Sequence, residues 1–202
     1  MELSDLDLGK HYSYADYLSW KFKEKVELLH GKIMAMPPAP SSEHQQISWN
    51  ITVELGNYLK ASKSSCRAFH APFDVRLPAQ EESRKTDTVL QPDLCVICDL
   101  SKIDRQGCNG APDLVVEILS PGNPQKEMQD KYEVYEEGGV REYWLVMPAQ
   151  QSVQPFVLDE GNRKFYGVQP VPISGVIASH ILPDLHIALS EIFPEKPFDS
   201  DG

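Results

Sequence analysis

Apolar and polar positions fall along the chain in blocks that prolines, glycines and small polar residues separate. The stretch "KVELLHGKIMAMP" holds two short apolar runs around His30-Gly31, a spacing that predicts a β-hairpin with Glu27 inside its first strand. Ahead of it, Ser13 stands where a cap belongs and predicts a helix over "YADYLSWKFK". Beyond the loop "PPAPSS", Ser42 followed three residues later by Gln45 is a capping-box signature. It predicts a helix through about Leu59, with Ile47, Ile51, Leu55 and Tyr58 or Leu59 as the inward stripe. His44 lies on that stripe and is expected to point inward at the first turn, where a backbone bond is its simplest role.

The segment "CRAFHAPFDVRLP" predicts one strand, broken or bulged near Pro72, and "EESRKTDT" a solvated turn. "TVLQPDLCVICD" reads as the next strand, continuous through Asp93. "PDLVVEILS" is rich in Val, Ile and Leu on both parities, the pattern of a central strand covered on both faces. Then Asn123 as cap, Pro124 at the first helical position and Gly138-Gly139 as the stop define the clearest helix. "VREYWLVMP" follows as a strand, which gives a strand–helix–strand unit expected to be right-handed if its two strands are parallel. A hairpin around Glu160-Gly161-Asn162, a strand at "ISGVIAS" and a short terminal turn at "LSEIF" complete the expected order. The expectation is a single domain over residues 1–194 with a disordered tail at 195–202.

Two acids interrupt this pattern. Asp93 opens one strand, and Glu117 sits inside another on the same parity as Asp113, Val115 and Leu119. A carboxylate taken out of water without a partner costs several kcal/mol, so it pairs, shifts its pKa or binds a metal. In the helix that follows, Lys131 falls within the stripe Met128, Tyr132 and Tyr135 and is expected to lean toward the sheet. A lysine aimed at a face that carries a glutamate is an ion pair or part of a site. Asp113, in the second "PD", is expected to cap its strand or pair at the surface.

The ordered series "VELLHGKIMAM", "SSEHQQI", "QPDLCVI", "APDLVVEILSP", "KYEVYEEGGVREYWLV" and "ISGVI…ILPDL…LSEIF" resembles the Uma-two family of restriction endonuclease-like proteins, within the PD-(D/E)xK nuclease superfamily. The likeness runs from about Tyr14 to Phe193. It implies an α/β (α+β) fold with a mixed sheet flanked by helices and additional hairpins. It implies a DNA endonuclease in which Asp93 and Glu117 are catalytic and hold Mg²⁺ or Mn²⁺. Leu119 stands where the superfamily's lysine would be, two residues after Glu117, and the resemblance moves that role to Lys131. Glu27 and His44 match polar positions that recur near the same cleft. The chemistry agrees: Mg²⁺ takes one or two carboxylates plus waters, and phosphodiester hydrolysis needs a cation on the phosphoryl oxygens. The missing lysine favours an alternative, a catalytically idle relative that binds nucleic acid or protein.

Charge qualifies the DNA reading. The formal net charge is −11 with a pI near 4.9, which opposes a broad grip on phosphates, so low affinity for DNA is expected. Arg84-Lys85 offers a local basic rim, and a homodimer is the default assembly. No run suggests a membrane span and the N-terminus is acidic, so a cytoplasmic location is expected. Cys95, Cys98 and Cys108 are close enough in sequence for a structural zinc site. Because Cys95 and Cys98 fall on opposite faces of one strand, buried reduced thiols are expected instead.

Overall fold

The structure is a computed structural model that describes residues 6–20, 26–35, 40–78, 86–121 and 125–194. Helix α1 (Tyr14–Ser19) begins at Ser13. The Ser13 hydroxyl accepts the Asp16 amide, and the Asp16 carboxylate accepts the Ser13 amide at 2.8 Å. Strands β1 (Val26–Leu29) and β2 (Lys32–Ala35) form the expected hairpin. His30 (φ 45°) and Gly31 (φ 72°) both lie in the left-handed region that a tight two-residue hairpin turn requires. Helix α2 (Ser42–Ala61) is capped one residue earlier than its sequence suggests: the Ser41 hydroxyl accepts the His44 amide at 3.2 Å. The extended backbone of Ser41 aims its side chain into the first turn, and Ser42 becomes the first helical residue.

The segment expected to break or bulge near Pro72 does break there, and the one expected to run continuous through Asp93 is split as well. The first becomes β3 (Arg67–His70) and β4 (Val75–Leu77), separated by a cis Ala71–Pro72 bond. The second becomes β5 (Thr88–Leu90) and β6 (Leu94–Ile97), separated by Gln91-Pro92. β4 pairs with β5 and β3 with β6, both antiparallel, but the two pairs belong to different sheets. A proline lacks the amide that a ladder needs, so each strand stops at its proline and resumes in the other sheet. Across the bend, the Ala71 amide donates to the Asp93 carbonyl at 3.1 Å.

The remaining elements are β7 (Ile103–Asp104), β8 (Gly107–Asn109), β9 (Leu114–Ile118), α3 (Gln125–Gly138), β10 (Glu142–Met147) and β11 (Ser152–Asp159). After them come β12 (Lys164–Gly167), β13 (Val171–Pro172), β14 (Val176–Ala178), β15 (His186–Ala188) and α4 (Leu189–Ile192). One sheet runs β2-β1-β5-β4-β8-β7, and the other runs β12-β11-β10-β9-β6-β3 with β13 beside β11. β9 and β10 form the strand–helix–strand unit with α3 and are parallel, the condition left open by the sequence, and β9 is antiparallel to β6. The expected caps Asn123 and Pro124, the basic pair Arg84-Lys85, the prolines that end the first hairpin and the tail lie outside the described residues.

Strand β9 is buried along its whole length, which explains its lack of alternation. Leu114, Val116 and Ile118 pack with Ile47, Ile51 and Leu55 of α2 on one face. Val115 packs with Val134, Tyr135 and Tyr143 on the other. The sheet is therefore sandwiched between α2 and α3, and its strand ends carry the polar residues taken up below. No helix among the described residues is long and apolar enough to cross a membrane.

The cysteines depart from expectation. The β3–β6 register pairs Arg67 with Ile97, so the next pair outward is Cys66 with Cys98, and these two form a disulfide. Cys98 is thereby removed from any zinc set with Cys95 and Cys108, which are free and buried. Spacing along the chain hid this pairing because it is set by strand register. Thiol titration of protein denatured without reductant is expected to find two reactive thiols rather than four. A count of four would refute the bond.

Candidate active site

Antiparallel pairing brings the two strand acids together. The register pairs Leu94 with Val116, so the next residues along, Asp93 and Glu117, stand opposite one another where β6 begins and β9 ends. The Ile118 amide donates to Asp93 Oδ2 at 2.7 Å, which fixes the aspartate against the end of β9. Helix α2 reaches the same point from its side of the sheet: His44, 7% exposed, places Nε2 3.2 Å from Asp93 Oδ2. Its ordered place follows from the Ser41 cap, which sets His44 in the first turn.

Helix α3 supplies the other partners. Lys131 Nζ donates to Glu117 Oε1 at 3.1 Å and lies 3.4 Å from Glu27 Oε2. One helical turn on, the Tyr135 hydroxyl donates to the same Glu117 Oε1 at 2.6 Å. Glu27 arrives from β1 in the second sheet, and its Oε1 accepts the Gln91 amide at 2.7 Å. Beside Glu117 is a hollow of about 30 Å³, roughly room for a water, walled by Leu119, Glu127, Met128, Lys131 and Leu145. The structure thus brings Asp93, Glu117, Lys131, Glu27 and His44 into one cluster. Asp113 lies apart, bonded to the Cys98 amide and to Arg141.

Counting committed oxygens separates the buried acids. Glu142 is bonded through Oε1 to Trp144 and through Oε2 to Ser179 and the His180 amide. Glu136 uses one oxygen for Lys164 and the other for the Phe165 amide. Asp113, Asp87 and Glu27 likewise engage both oxygens. Glu117 and Asp93 differ: among the described residues, each has one oxygen held by two donors while Glu117 Oε2 and Asp93 Oδ1 accept no hydrogen bond. These uncommitted oxygens belong to the acids that face each other.

The electrostatics follow from crowding. Burial pushes the Glu117 carboxyl up, to about 7; the Lys131 ammonium pulls it down, and Asp93 and Glu27 add to the rise. Burial by itself would lower Lys131, but Glu117 and Glu27 outweigh that effect and keep it charged. For His44 too, burial acts downward and is outweighed by its bond to Asp93, leaving a net rise. The Tyr135 phenol is driven well above its ordinary value by burial and the adjoining acids, so it stays a neutral donor. Three carboxylates share two basic side chains, which leaves the cluster short of positive charge.

Sequence reasoning missed two of these parts. Tyr135 lies on an apolar stripe and reads as core, yet its hydroxyl holds Glu117. Glu127, one turn before Lys131, walls the hollow, and its charge on an exposed-looking first turn gave no sign of that.

A twisted mixed sheet between two helices, with paired acids at the ends of neighbouring strands and a buried lysine, has the form of a nuclease-like fold. The same fold occurs in the crystal structure of a putative nuclease belonging to DUF820 from Anabaena variabilis, which aligns with a TM-score of 0.70 at 20% identity over 90% of this chain and 97% of that one. The chain belongs to the Uma2 family, described as putative restriction endonuclease, whose profile matches residues 14–190. No curated protein matches it.

The raised Glu117 carboxyl gives a pH signature. Between its ordinary 4.5 and about 7, the native state keeps a proton that the unfolded chain has released. Raising the pH through that window therefore destabilises the metal-free protein, by about 1 kcal/mol per pH unit at most. Denaturant midpoints measured from pH 5 to 8 are expected to fall more steeply in the parent than in Glu117→Gln. Equal slopes would contradict the assignment.

Proposed function

We propose that this protein is a divalent-metal-dependent endonuclease that hydrolyses DNA phosphodiester bonds at the Asp93–Glu117 pair. The observation that carries the reading is a pair of acids set opposite one another by strand register, each with an oxygen, Asp93 Oδ1 and Glu117 Oε2, that accepts no hydrogen bond among the described residues, beside a buried charged lysine. Family membership supports it.

The residues suit a hard cation. Among the described residues, no three His, Cys, Asp or Glu side chains converge as a metal cage. Mg²⁺ and Mn²⁺ do not need one, because Mg²⁺ typically takes one or two carboxylates and keeps several waters. The shortage of positive charge in the cluster acts in the same direction. When bound, the cation supplies charge neutralisation at the phosphoryl oxygens and a more acidic water.

The chain's own groups do the rest. Asp93 and Glu117 would present Oδ1 and Oε2 to the cation from adjoining strands. His44 and the Ile118 amide keep Asp93 from turning away. Lys131 lies in the wall of the hollow, where its ammonium can orient an attacking water and stabilise charge that develops on the phosphoryl group. Glu27 has both oxygens engaged, so its part is to hold Lys131 in place rather than to bind metal. Lys131 thereby takes the place of the lysine absent at Leu119. The acidic chain makes DNA binding weak and strongly salt-dependent.

The test is nicking of supercoiled plasmid with Mg²⁺ or Mn²⁺ at low salt, comparing the parent with Asp93→Asn, Glu117→Gln and Lys131→Gln. The acid-to-amide variants keep side-chain volume and Lys131→Gln comes near it, but each strips a partner from a buried ion pair at a cost of about 3–5 kcal/mol, so the fold of each variant is verified by circular dichroism before activity is compared. Metal-dependent nicking by the parent is expected, with a loss of roughly a hundredfold or more in each folded variant. A parent that binds DNA without cutting it would support the idle-relative reading instead.

A further inference from the structure

Glu117 is gripped through one oxygen, and the two donors on that oxygen are not equivalent. Lys131 divides its ammonium between Glu117 at 3.1 Å and Glu27 at 3.4 Å, at the end of a long flexible chain. Tyr135 is completely buried, its ring packs at 5.3 Å from that of Tyr143, and its hydroxyl has Glu117 as its hydrogen-bond partner. At 2.6 Å this is the shorter of the two contacts. Lys131 and Tyr135 are four residues apart on α3, so both approach Glu117 from one face of the helix, and both take the same oxygen, Oε1.

A glutamate side chain has three rotatable bonds, and nothing intrinsic selects which oxygen it shows to a ligand. We infer that Tyr135 makes that selection: it is a positioning residue whose hydroxyl holds Oε1 so that Oε2 alone is offered to a cation shared with Asp93. The inference rests on the metal-dependent reading above and adds which residue sets the ligand geometry. Without the hydroxyl, Lys131 is the remaining anchor of Oε1, and Glu117 gains freedom to turn toward the ammonium with both oxygens. The fixed carboxylate of the parent is lost, although the ring and the packing stay. Losing a donor to a buried carboxylate lowers stability as well, so the effect that distinguishes a positioning role is the one on metal binding. Groups that orient metal ligands typically change affinity by about 10–100-fold when removed.

The experiment compares the parent with Tyr135→Phe and with Tyr132→Phe, the same chemical change one turn away on a hydroxyl that faces the Phe165 carbonyl at 3.5 Å. Two curves are recorded for each protein against Mn²⁺ concentration: the thermal midpoint and the rate of plasmid nicking. For Tyr135→Phe, the half-saturating Mn²⁺ concentration is expected to rise about tenfold or more in both curves, with a smaller change in rate at saturating metal. Tyr132→Phe should match the parent. A hydroxyl of merely structural value would lower the metal-free midpoint and leave half-saturation unchanged, and that result overturns the inference.

A second measurement does not depend on a single variant. Glu117→Asp retracts the carboxylate from the hydroxyl, so adding Tyr135→Phe to it should weaken Mn²⁺ binding no further. Additive losses would mean that Tyr135 acts elsewhere. If the parent itself shows neither a Mn²⁺-dependent midpoint nor nicking, it is the nuclease reading that fails, a result plainly different from a parent that responds alongside an equally responsive Tyr135→Phe.

Discussion

Two carboxylates set opposite one another on hydrogen-bonded strands repel, and the surroundings of the β6–β9 pair answer that repulsion from both sides of the sheet. From the α2 side, His44 leans on Asp93. From the α3 side, Lys131 and Tyr135 take hold of Glu117. Neither helix could serve both acids, because the register that makes them neighbours also puts the strand ends between the layers. The sandwich of α2, sheet and α3 is thus what lets an acid pair persist in a place that would otherwise be too dry for it. The proton affinity of Glu117 remains raised even so, chiefly because burial penalises its charged form and because Asp93 and Glu27 add to the rise against the pull of Lys131.

The contrast with the other buried acids sharpens this. Glu142 and Glu136 are as deeply placed, yet both are fully bonded and act as fasteners, joining β10 to the segment around Ser179 and α3 to β12. Burial of a charge is therefore not what marks the site. What marks Glu117 among the buried acids is an oxygen that has been left unused, with the half-buried Asp93, also holding an unused oxygen, directly across the ladder.

The residues of the cluster were legible in the sequence to the extent that periodicity reports direction. Strand parity gave Glu117 its face, and the helical repeat put His44 and Lys131 on inward faces, where the structure has them; Asp93, read as lying within a continuous strand, instead sits in the break just before β6. Periodicity does not report which strand lies alongside. The β6–β9 register and the Cys66–Cys98 bond were for that reason invisible until the strands were paired. Pro72 announced an interruption but not that the chain changes sheets there, and the break at Pro92 was hidden by the apolar continuity of its segment. Tyr135 illustrates the same limit, since a repeat tells which face a residue occupies and not what its hydroxyl meets on arrival.

The double crossing at those prolines also has a mechanical side. β3 continues into β4 and β5 into β6, so two antiparallel strand pairs run as one bent ribbon through both sheets, joined at the bend by the Ala71–Asp93 backbone bond. Glu27 belongs to one sheet and Glu117 to the other, and Lys131 spans the gap between them. Sliding one sheet past the other would have to shear the ribbon at two places at once. Glu27 and Glu117 are in this way carried on one bent frame that both sheets share, with the Lys131 ammonium pinned between them rather than on a separate support.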